Sequence, residues 1–255
     1  ASAYFASEWE HSAGITIDGS GDFVSCLFTE CEGNEIRPIR KVFVPHSLGT
    51  FYTAVCQFIG YGKYGDEGKV MGLAPLGEDT YRDFFERAVI PTEKGFDLNP
   101  DYFLPFGANQ GMEINENGEM IVHRLYSDLF IKTFGEPRER HSEITKRDED
   151  ISFGLQRVFE DRYMHLLRLL HKEVPVTRVS MAGGCALNSV ANGKLLTETP
   201  FRETCIQPAA GDDGLALGAA LYVSNSVLKE GVRWKMENSY LGDEYSDDEI
   251  RNEIA

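Results

Sequence analysis

Strand and helix patterns alternate along residues 176–228, and this alternation restricts the possible folds more than any other feature of the chain. The successive segments are a strand (176–181), a Gly-Gly turn, a helix (186–196), a strand (203–207) and a helix of small residues (212–228). Strand, helix and strand in this order form a parallel βαβ unit, because the helix carries the chain back across the sheet. The sequence therefore predicts an α/β fold.

An antiparallel meander is predicted ahead of this unit. Residues 13–44 contain three segments rich in Ile, Val, Phe and Thr, separated by Gly-containing turns, as in a β-meander. Ser47 is placed to cap a helix that ends at Ile59. A one-sided apolar stripe over residues 151–170 predicts the longest helix. Residues 61–148 mix short helices with Gly, Pro and Asn, and we interpret them as an insertion.

This order of elements resembles one ribonuclease-H-like lobe of the actin, sugar-kinase and chaperone ATPases. The resemblance rests on a three-strand meander, a helix and a βαβα unit in succession. It implies a mixed sheet, with the insertion as a helical addition to the lobe.

The chain carries a formal net charge of −16 at pH 7. An excess of carboxylates repels phosphate backbones and anionic membrane surfaces, so neither nucleic acid nor a membrane is expected as a partner. Apolar stretches fall short of the roughly 20 residues that a bilayer span needs. The five cysteines are scattered without a C-x-x-C pair, which argues against a disulfide framework or a zinc site and favours the reducing cytoplasm.

Two aspartates and two glycines lie close together in the segment IDGSGD, residues 17–22. Glycines allow backbone N–H groups to turn toward an anion, and carboxylates can hold a divalent cation beside it. The candidates for such a phosphate and metal site are Asp18, Gly19, Gly21 and Asp22. The same residues also suit a hairpin turn, because Asp and Gly are the usual turn residues.

Paired glycines connect the strand at 176–181 to the next helix. Gly183 and Gly184 would bring bare backbone close to a nucleoside beyond the end of the strand, and Asn188 would bond its ribose or base. A tight turn with a solvent-facing Asn fits the same letters. Asp212, at the start of the small-residue helix, is a candidate metal ligand, although the helix dipole alone also favours an acid there.

Other familiar motifs are excluded by their context. Gly60-x-Gly62-x-x-Gly65 follows a helix where dinucleotide binding requires a strand. Gly68-Lys69 lacks the Ser or Thr that a P-loop places next, because Val70 follows. The six histidines form no metal-binding pair, and no Ser-His-Asp or Cys-His site is indicated by spacing.

Long segments resemble the O-carbamoyltransferase family of nodulation and antibiotic-tailoring enzymes. They are HSLGTFYTAVCQFIGYGKYGDEGKVMGLAPLG (46–77), MAGGCALNSVANGKLL (181–196) and QPAAGDDGLALGAAL (207–221), with IDGSGD in addition. The resemblance implies an actin-like domain that transfers a carbamoyl group from carbamoyl-adenylate to a hydroxyl of a small-molecule acceptor. A carboxyl-terminal domain of the family makes that adenylate from carbamoyl phosphate and ATP.

The resemblance also implies a role for each candidate residue. Asp18, Gly19, Gly21 and Asp22 would contact the phosphate side, Gly183, Gly184 and Asn188 the nucleoside, and Asp212 a divalent metal, usually iron. Lys69 would reach a phosphate or carbamoyl oxygen, with a structural role as the alternative. No catalytic base is indicated.

On this basis residues 1–255 are expected to be a fragment of the actin-like domain. Its parts would be 1–60 (meander and first helix), 61–148 (insertion), 149–230 (long helix and βαβα) and 231–255 (start of the next segment). An upstream lobe with a histidine pair and the downstream adenylate-forming domain are the expected partners, and the chain alone is expected to be inactive. An actin-like small-molecule kinase and a non-catalytic nucleotide-binding lobe are the alternatives.

Overall fold

One mixed five-stranded sheet organises the computed structural model, which describes residues 1–63, 65–104, 112–114, 116–118, 120–230 and 233–254. The strands are β1 (His11–Gly21), β2 (Val24–Glu32), β3 (Glu35–Phe43), β4 (Val89–Thr92), β5 (Gly95–Leu98), β6 (Met112–Ile114), β7 (Met120–Val122), β8 (Arg178–Ala182) and β9 (Glu203–Ile206). The main sheet has the order β3-β2-β1-β8-β9, and β4–β5 and β6–β7 form two hairpins.

The helices surround this sheet and continue its connections. They are α1 (Leu48–Phe58), α2 (Glu67–Leu73), α3 (Arg82–Ala88), α4 (Asp128–Phe134), α5 (Lys146–Glu173), α6 (Ser189–Glu198), α7 (Leu215–Tyr222) and α8 (Asp247–Ile254). Short 3-10 turns lie at Ala74–Leu76, Gly184–Leu187 and Asp212–Gly214, and a π-helical turn, Val223–Val227, extends α7. No described helix is long and apolar enough to cross a membrane.

The predicted meander and the predicted βαβ unit belong to the same sheet. β1 pairs antiparallel with β2, and β2 pairs antiparallel with β3. β1 pairs parallel with β8, and β8 pairs parallel with β9. β1 is therefore the central strand, which explains why Ala13, Ile15 and Ile17 are buried. The prediction of an α/β fold with a mixed sheet is confirmed.

The long helix α5 forms where the apolar stripe predicts it. A capping box joins Thr145 and Asp148 at its first turn, which satisfies two backbone N–H groups that would otherwise lack partners. Every member of the stripe is buried: Ile151, Leu155, Val158, Phe159, Tyr163, Leu166, Leu167 and Leu170. Ser47 caps α1 as expected, accepting a 3.0 Å hydrogen bond from the N–H of Thr50.

The predicted insertion is not purely helical, because the hairpins β4–β5 and β6–β7 lie within it beside its helices. It also contributes to the main core. Phe84 of α3 packs edge-to-face with Phe85, Phe130 and Phe134. Phe58 of α1 packs in a tilted arrangement against Phe130 and Phe134 of α4. Aromatic contacts of this kind add to the stability that apolar burial provides. Residues 64, 105–111, 115 and 119 of the predicted insertion, and residues 231–232 and 255 of the predicted last segment, lie outside the described residues.

Two predicted helix boundaries are wrong. The helix predicted from residue 186 begins at Ser189, because Asn188 has extended backbone angles and caps it. The helix predicted over 212–228 is divided into a 3-10 turn, α7 and a π-helical turn. The side chain that caps a helix fixes where the helix begins, and the spacing of apolar residues does not show which side chain that is.

Candidate active site

A cavity of about 550 Å³ lies beside the carboxyl-terminal ends of β1 and β8. Its wall is formed by Asp18, Gly19, Ser20, Gly49, Thr50, Tyr52, Thr53, Gly62, Lys63, Gly65, Glu67, Gly68, Met71, Val122, Leu125, Phe159, Gly184, Cys185, Leu187, Asn188, Gly211, Asp212 and Asp213. Ligands of α/β proteins bind beyond the carboxyl ends of parallel strands, so this position is the one that the topology favours. The cavity brings together Asp18, Gly19, Gly184, Asn188 and Asp212 of the sequence prediction.

Asp18 is held rigidly at the base of the cavity. The N–H of Gly19 donates to Asp18 Oδ1 at 2.7 Å, and the N–H of Gly184 also donates to this carboxylate. Burial raises the pKa of the Asp18 carboxyl, the nearby Asp212 carboxylate adds to the increase, and the two N–H groups oppose it. The backbone N–H of Gly19 in the Asp18 loop is thus directed at the carboxylate of that loop.

Gly183 and Gly184 are glycines for different structural reasons. Gly183 has φ +92°, and a Cβ there would lie 2.3 Å from the carbonyl oxygen of Ile17. A Cβ on Gly184 would lie 3.2 Å from Asp18 Oδ1. Gly183 is therefore required by the close approach of β8 to β1, and only Gly184 lines the cavity.

Asn188 is buried and makes its hydrogen bonds within the protein. Its Oδ1 accepts from the N–H of Ala191 and from Gln156 Nε2, both at 3.0 Å. Its Nδ2 donates to Gln156 Oε1 at 3.0 Å, and the Tyr52 hydroxyl donates to the same oxygen at 2.7 Å. The solvent-facing alternative for Asn188 is wrong, and its side chain joins α6, α5 and α1 at the cavity wall.

Replacing Asn188 by Ala is expected to reduce the free energy of unfolding by about 2–4 kcal/mol. The change removes the cap of α6 and leaves the buried amide of Gln156 without two hydrogen bonds. Urea unfolding measures the loss. The control is Asn238→Ala in an exposed segment, expected to change stability by less than about 0.5 kcal/mol. Equal stabilities for the two variants would contradict the capping role.

Asp212 and Asp213 differ in their surroundings although both are exposed. Asp212 is close enough to Asp18 for the two charges to interact, whereas Asp213 Oδ1 lies against Gly211, 3.3 Å from where a Cβ would stand. Within the described residues, no three His, Cys, Asp or Glu side chains converge as a metal site. Asp18 and Asp212 fit a divalent cation as two of its oxygen ligands, since repulsion between them would be relieved by positive charge.

Gly21, Asp22 and Lys69 are placed outside the cavity wall. Gly21 pairs with Val24, and Asp22 has φ +50° in the exposed tip of the β1–β2 hairpin, so the hairpin-turn interpretation describes these two residues. Lys69 is 63% exposed and donates to Asp66 Oδ1 at 2.6 Å. The geometry of Lys69 corresponds to its structural alternative.

Glu67 and Thr53 line the cavity but are absent from the sequence prediction. The Thr53 hydroxyl donates to Glu67 Oε1 at 2.8 Å, joining α1 to α2. The signal in the sequence is the segment Asp66–Lys69, in which the family resemblance points to Lys69. The helical geometry of α2 instead places Glu67 and Gly68 on the cavity side.

Acidic side chains dominate the charge of the cavity. Among the described lining residues, four carboxylates, Asp18, Glu67, Asp212 and Asp213, face a single lysine, Lys63. An anionic ligand such as a nucleotide would be repelled unless a cation accompanied it. This charge balance is a second reason why the cavity fits a divalent cation.

Comparison with known proteins gives this chain its family. A family model described as "Carbamoyltransferase N-terminus" matches residues 1–221. The chain belongs to the carbamoyltransferase family. The described cavity lies entirely within the matched part of this carbamoyltransferase region, since its last wall residue is Asp213.

Three longer proteins are similar to nearly the whole of this chain. The nodulation protein NolNO of Sinorhizobium fredii is 35% identical over 97% of this chain and 33% of its own length. The nodulation protein NolO of Bradyrhizobium diazoefficiens is 34% identical over 94% of the chain and 40% of its own length. An uncharacterized Synechocystis protein is 35% identical over 98% and 40%. The chain thus spans between a third and two-fifths of the length of each of these relatives.

Proposed function

We propose that the full-length protein transfers a carbamoyl group from carbamoyl-adenylate, made from carbamoyl phosphate and ATP, to a hydroxyl of a small-molecule acceptor. Membership of the carbamoyltransferase family supports carbamoyl transfer as the reaction class. The proposal adds to this reaction class carbamoyl-adenylate as the donor and a hydroxyl group as the acceptor. The remaining domains of the protein would form the adenylate and complete the cleft.

The topology supports a ribonuclease-H-like lobe, which we infer for this chain. In the order β3-β2-β1-β8-β9, β2 alone runs opposite to the other strands. A meander whose first strand is extended by parallel strands is the arrangement expected of an actin-like nucleotide-binding lobe. Such a lobe places its ligand beyond the ends of β1 and β8, where the cavity lies.

The observation that carries the proposal is the convergence of three separate segments of the chain on one cavity. Asp18 comes from β1, Gly184 from the turn after β8, and Asp212 from the turn before α7. In the proposed complex Gly184 lies against the nucleoside, where its missing side chain leaves room. Asp18 and Asp212 would supply two ligands to a divalent cation, usually iron in the family, and the histidine pair expected upstream would supply others.

The protein's own residues would bind and orient the two reactants. The carbonyl of Asp18 is fixed by the Ser47 hydroxyl, which donates to it at 3.1 Å, so the base of the site is tied to α1. Apolar side chains of Met71, Leu125 and Phe159 exclude water from the other side of the cavity. A bound cation supplies charge stabilisation for the carbamoyl oxygen and the phosphate.

The decisive experiment follows the fate of each group of the donor. Full-length protein is incubated with [14C]carbamoyl phosphate, ATP and a panel of hydroxyl compounds. Carbamoyl transfer gives labelled carbamate ester together with AMP. Transfer of the ATP γ-phosphate to the acceptor would instead show an actin-like kinase, and nucleotide binding without turnover would show a non-catalytic lobe.

Replacing Gly184 by Val is expected to weaken binding of ATP and AMP by about 10-fold or more. A branched side chain at this position would displace the Asp18 carboxylate, which lies 3.2 Å from the site of a Cβ, and enter the cavity. Titration calorimetry on full-length protein measures the affinity. The same change at Gly193, where nothing lies within 4 Å, is the control. Unchanged affinity in the Gly184 variant would reject the nucleoside contact.

A further inference from the structure

Glu67 is a carboxylate of the cavity that the proposed binding of nucleotide and cation does not use. It lies on α2, whereas the other proposed ligands come from β1, from the turn after β8 and from the turn before α7. Asp66 beside it is buried and paired with Lys69, so the two neighbouring acids have separate environments.

The Glu67 carboxylate is fixed close to the interior of the cavity. The Thr53 hydroxyl donates to Oε1 at 2.8 Å, and Thr53 itself lines the wall. Burial raises the pKa of the Cys185 thiol well above its usual value, and the charges of Asp18 and Glu67 both add to this increase. Cys185 lines the cavity too, so the charges of Asp18 and Glu67 both reach the same wall residue.

We propose that Glu67 is the general base that removes the proton from the acceptor hydroxyl; this proposal rests on the proposed carbamoyl transfer. Hydroxyl groups are weak nucleophiles at neutral pH and need a positioned base to attack an acyl-type carbon. Asp18 is less suited, because two backbone N–H groups already donate to it and Asp212 lies beside it. A carboxylate oriented by a neighbouring hydroxyl matches the arrangement of a positioned base.

The step balances with the substrates already named. The acceptor oxygen forms a bond to the carbamoyl carbon, and its proton passes to Glu67. The bond between that carbon and the phosphate oxygen of the adenylate breaks, and AMP leaves with the electron pair. Glu67 then returns the proton to solvent, so the reaction needs no further reactant.

The test compares two nucleophiles that differ in their need for a base. Glycerol is the hydroxyl probe, and hydroxylamine is the second probe, because its neutral nitrogen attacks without prior loss of a proton. Full-length protein is supplied with [14C]carbamoyl phosphate and ATP. Glu67→Gln is expected to reduce transfer to glycerol by about 100-fold to 10,000-fold while transfer to hydroxylamine changes by less than about 3-fold.

Two further variants complete the design. Thr53→Val removes the hydrogen bond to Glu67 and is expected to reduce glycerol transfer by about 10-fold, again with hydroxylamine transfer retained. Glu143→Gln, an exposed acid outside the cavity, is the control and should leave both rates unchanged. Glutamine keeps the oxygen that accepts from Thr53, so the Glu67→Gln variant should fold.

The outcomes separate the two proposals. If Glu67→Gln leaves glycerol transfer intact, or lowers both transfers equally, Glu67 is not the base, and carbamoyl transfer itself still stands. If the parent protein carbamoylates neither hydroxylamine nor any hydroxyl compound of the panel, the proposed function fails. If the parent carbamoylates hydroxylamine but neither glycerol nor any hydroxyl compound of the panel, the hydroxyl acceptor is contradicted, and the role of Glu67 with it.

Discussion

Replacing Asp212 by Asn in the full-length protein is expected to lower bound metal and carbamoyl transfer together, the latter by about 100-fold or more. Asparagine keeps the shape of the side chain and removes the charge that would bind the cation. The loss should be large because Asp212 faces Asp18, and a cation shared by these carboxylates would lose one charged ligand. Metal content is measured by mass spectrometry and transfer by release of AMP with labelled product.

Asp213 offers a matched control for this prediction. It is the next residue and is also exposed in the 3-10 turn before α7, but its carboxylate lies against Gly211. Asp213→Asn is expected to change metal content and transfer by less than about 3-fold. Full metal and activity in the Asp212 variant, or a loss confined to the Asp213 variant, would show that the ligand is assigned to the wrong residue.

Replacing Gly183 by Ala is expected to destabilise the fold by more than about 4 kcal/mol. The new Cβ would lie 2.3 Å from the Ile17 carbonyl oxygen and 2.7 Å from the Ile17 nitrogen, both rigid backbone atoms of the central strand. Gly183 also has φ +92°, a conformation that alanine adopts only with strain. Urea unfolding followed by circular dichroism measures the change, and an insoluble variant agrees with it.

Gly193 provides the contrasting substitution. It lies in α6 with nothing within 4 Å of a new Cβ, so Gly193→Ala is expected to stabilise the protein by about 0.5–1 kcal/mol. Alanine restricts the unfolded chain and favours the helix. If Gly183→Ala unfolded at the same urea concentration as the parent protein, the junction between β8 and β1 would be looser than the structure indicates.

Local patterns in the sequence were sufficient for most of the secondary structure. The apolar stripe of α5 identified buried positions such as Ile151 and Leu170, because a period of 3.6 residues reports one helix face directly. Ser47 was identified as a cap because a hydroxyl before an apolar run satisfies the first backbone N–H groups. The resemblance to carbamoyltransferases, carried by long contiguous motifs, was confirmed by the family match.

The candidate site depended on contacts that no local pattern contains. Asn188 meets Gln156 from another helix, 32 positions away, and this contact decides that its amide is buried. Glu67 enters the cavity while Lys69, two residues later, pairs with Asp66 outside it. Both outcomes follow from how α2, α5 and α6 pack, and packing joins residues that are distant in the chain.

The sequence by itself determined the alternation of strands and helices, the acidic character of the chain and its family. Only the tertiary structure decided which of the motif residues share one cavity. Gly183 and Gly184 are adjacent glycines in the sequence, yet one contacts the backbone of Ile17 and the other leaves space beside Asp18. The physical reason is that a glycine's role depends on what stands where its side chain would be, and that neighbour is supplied by a different strand.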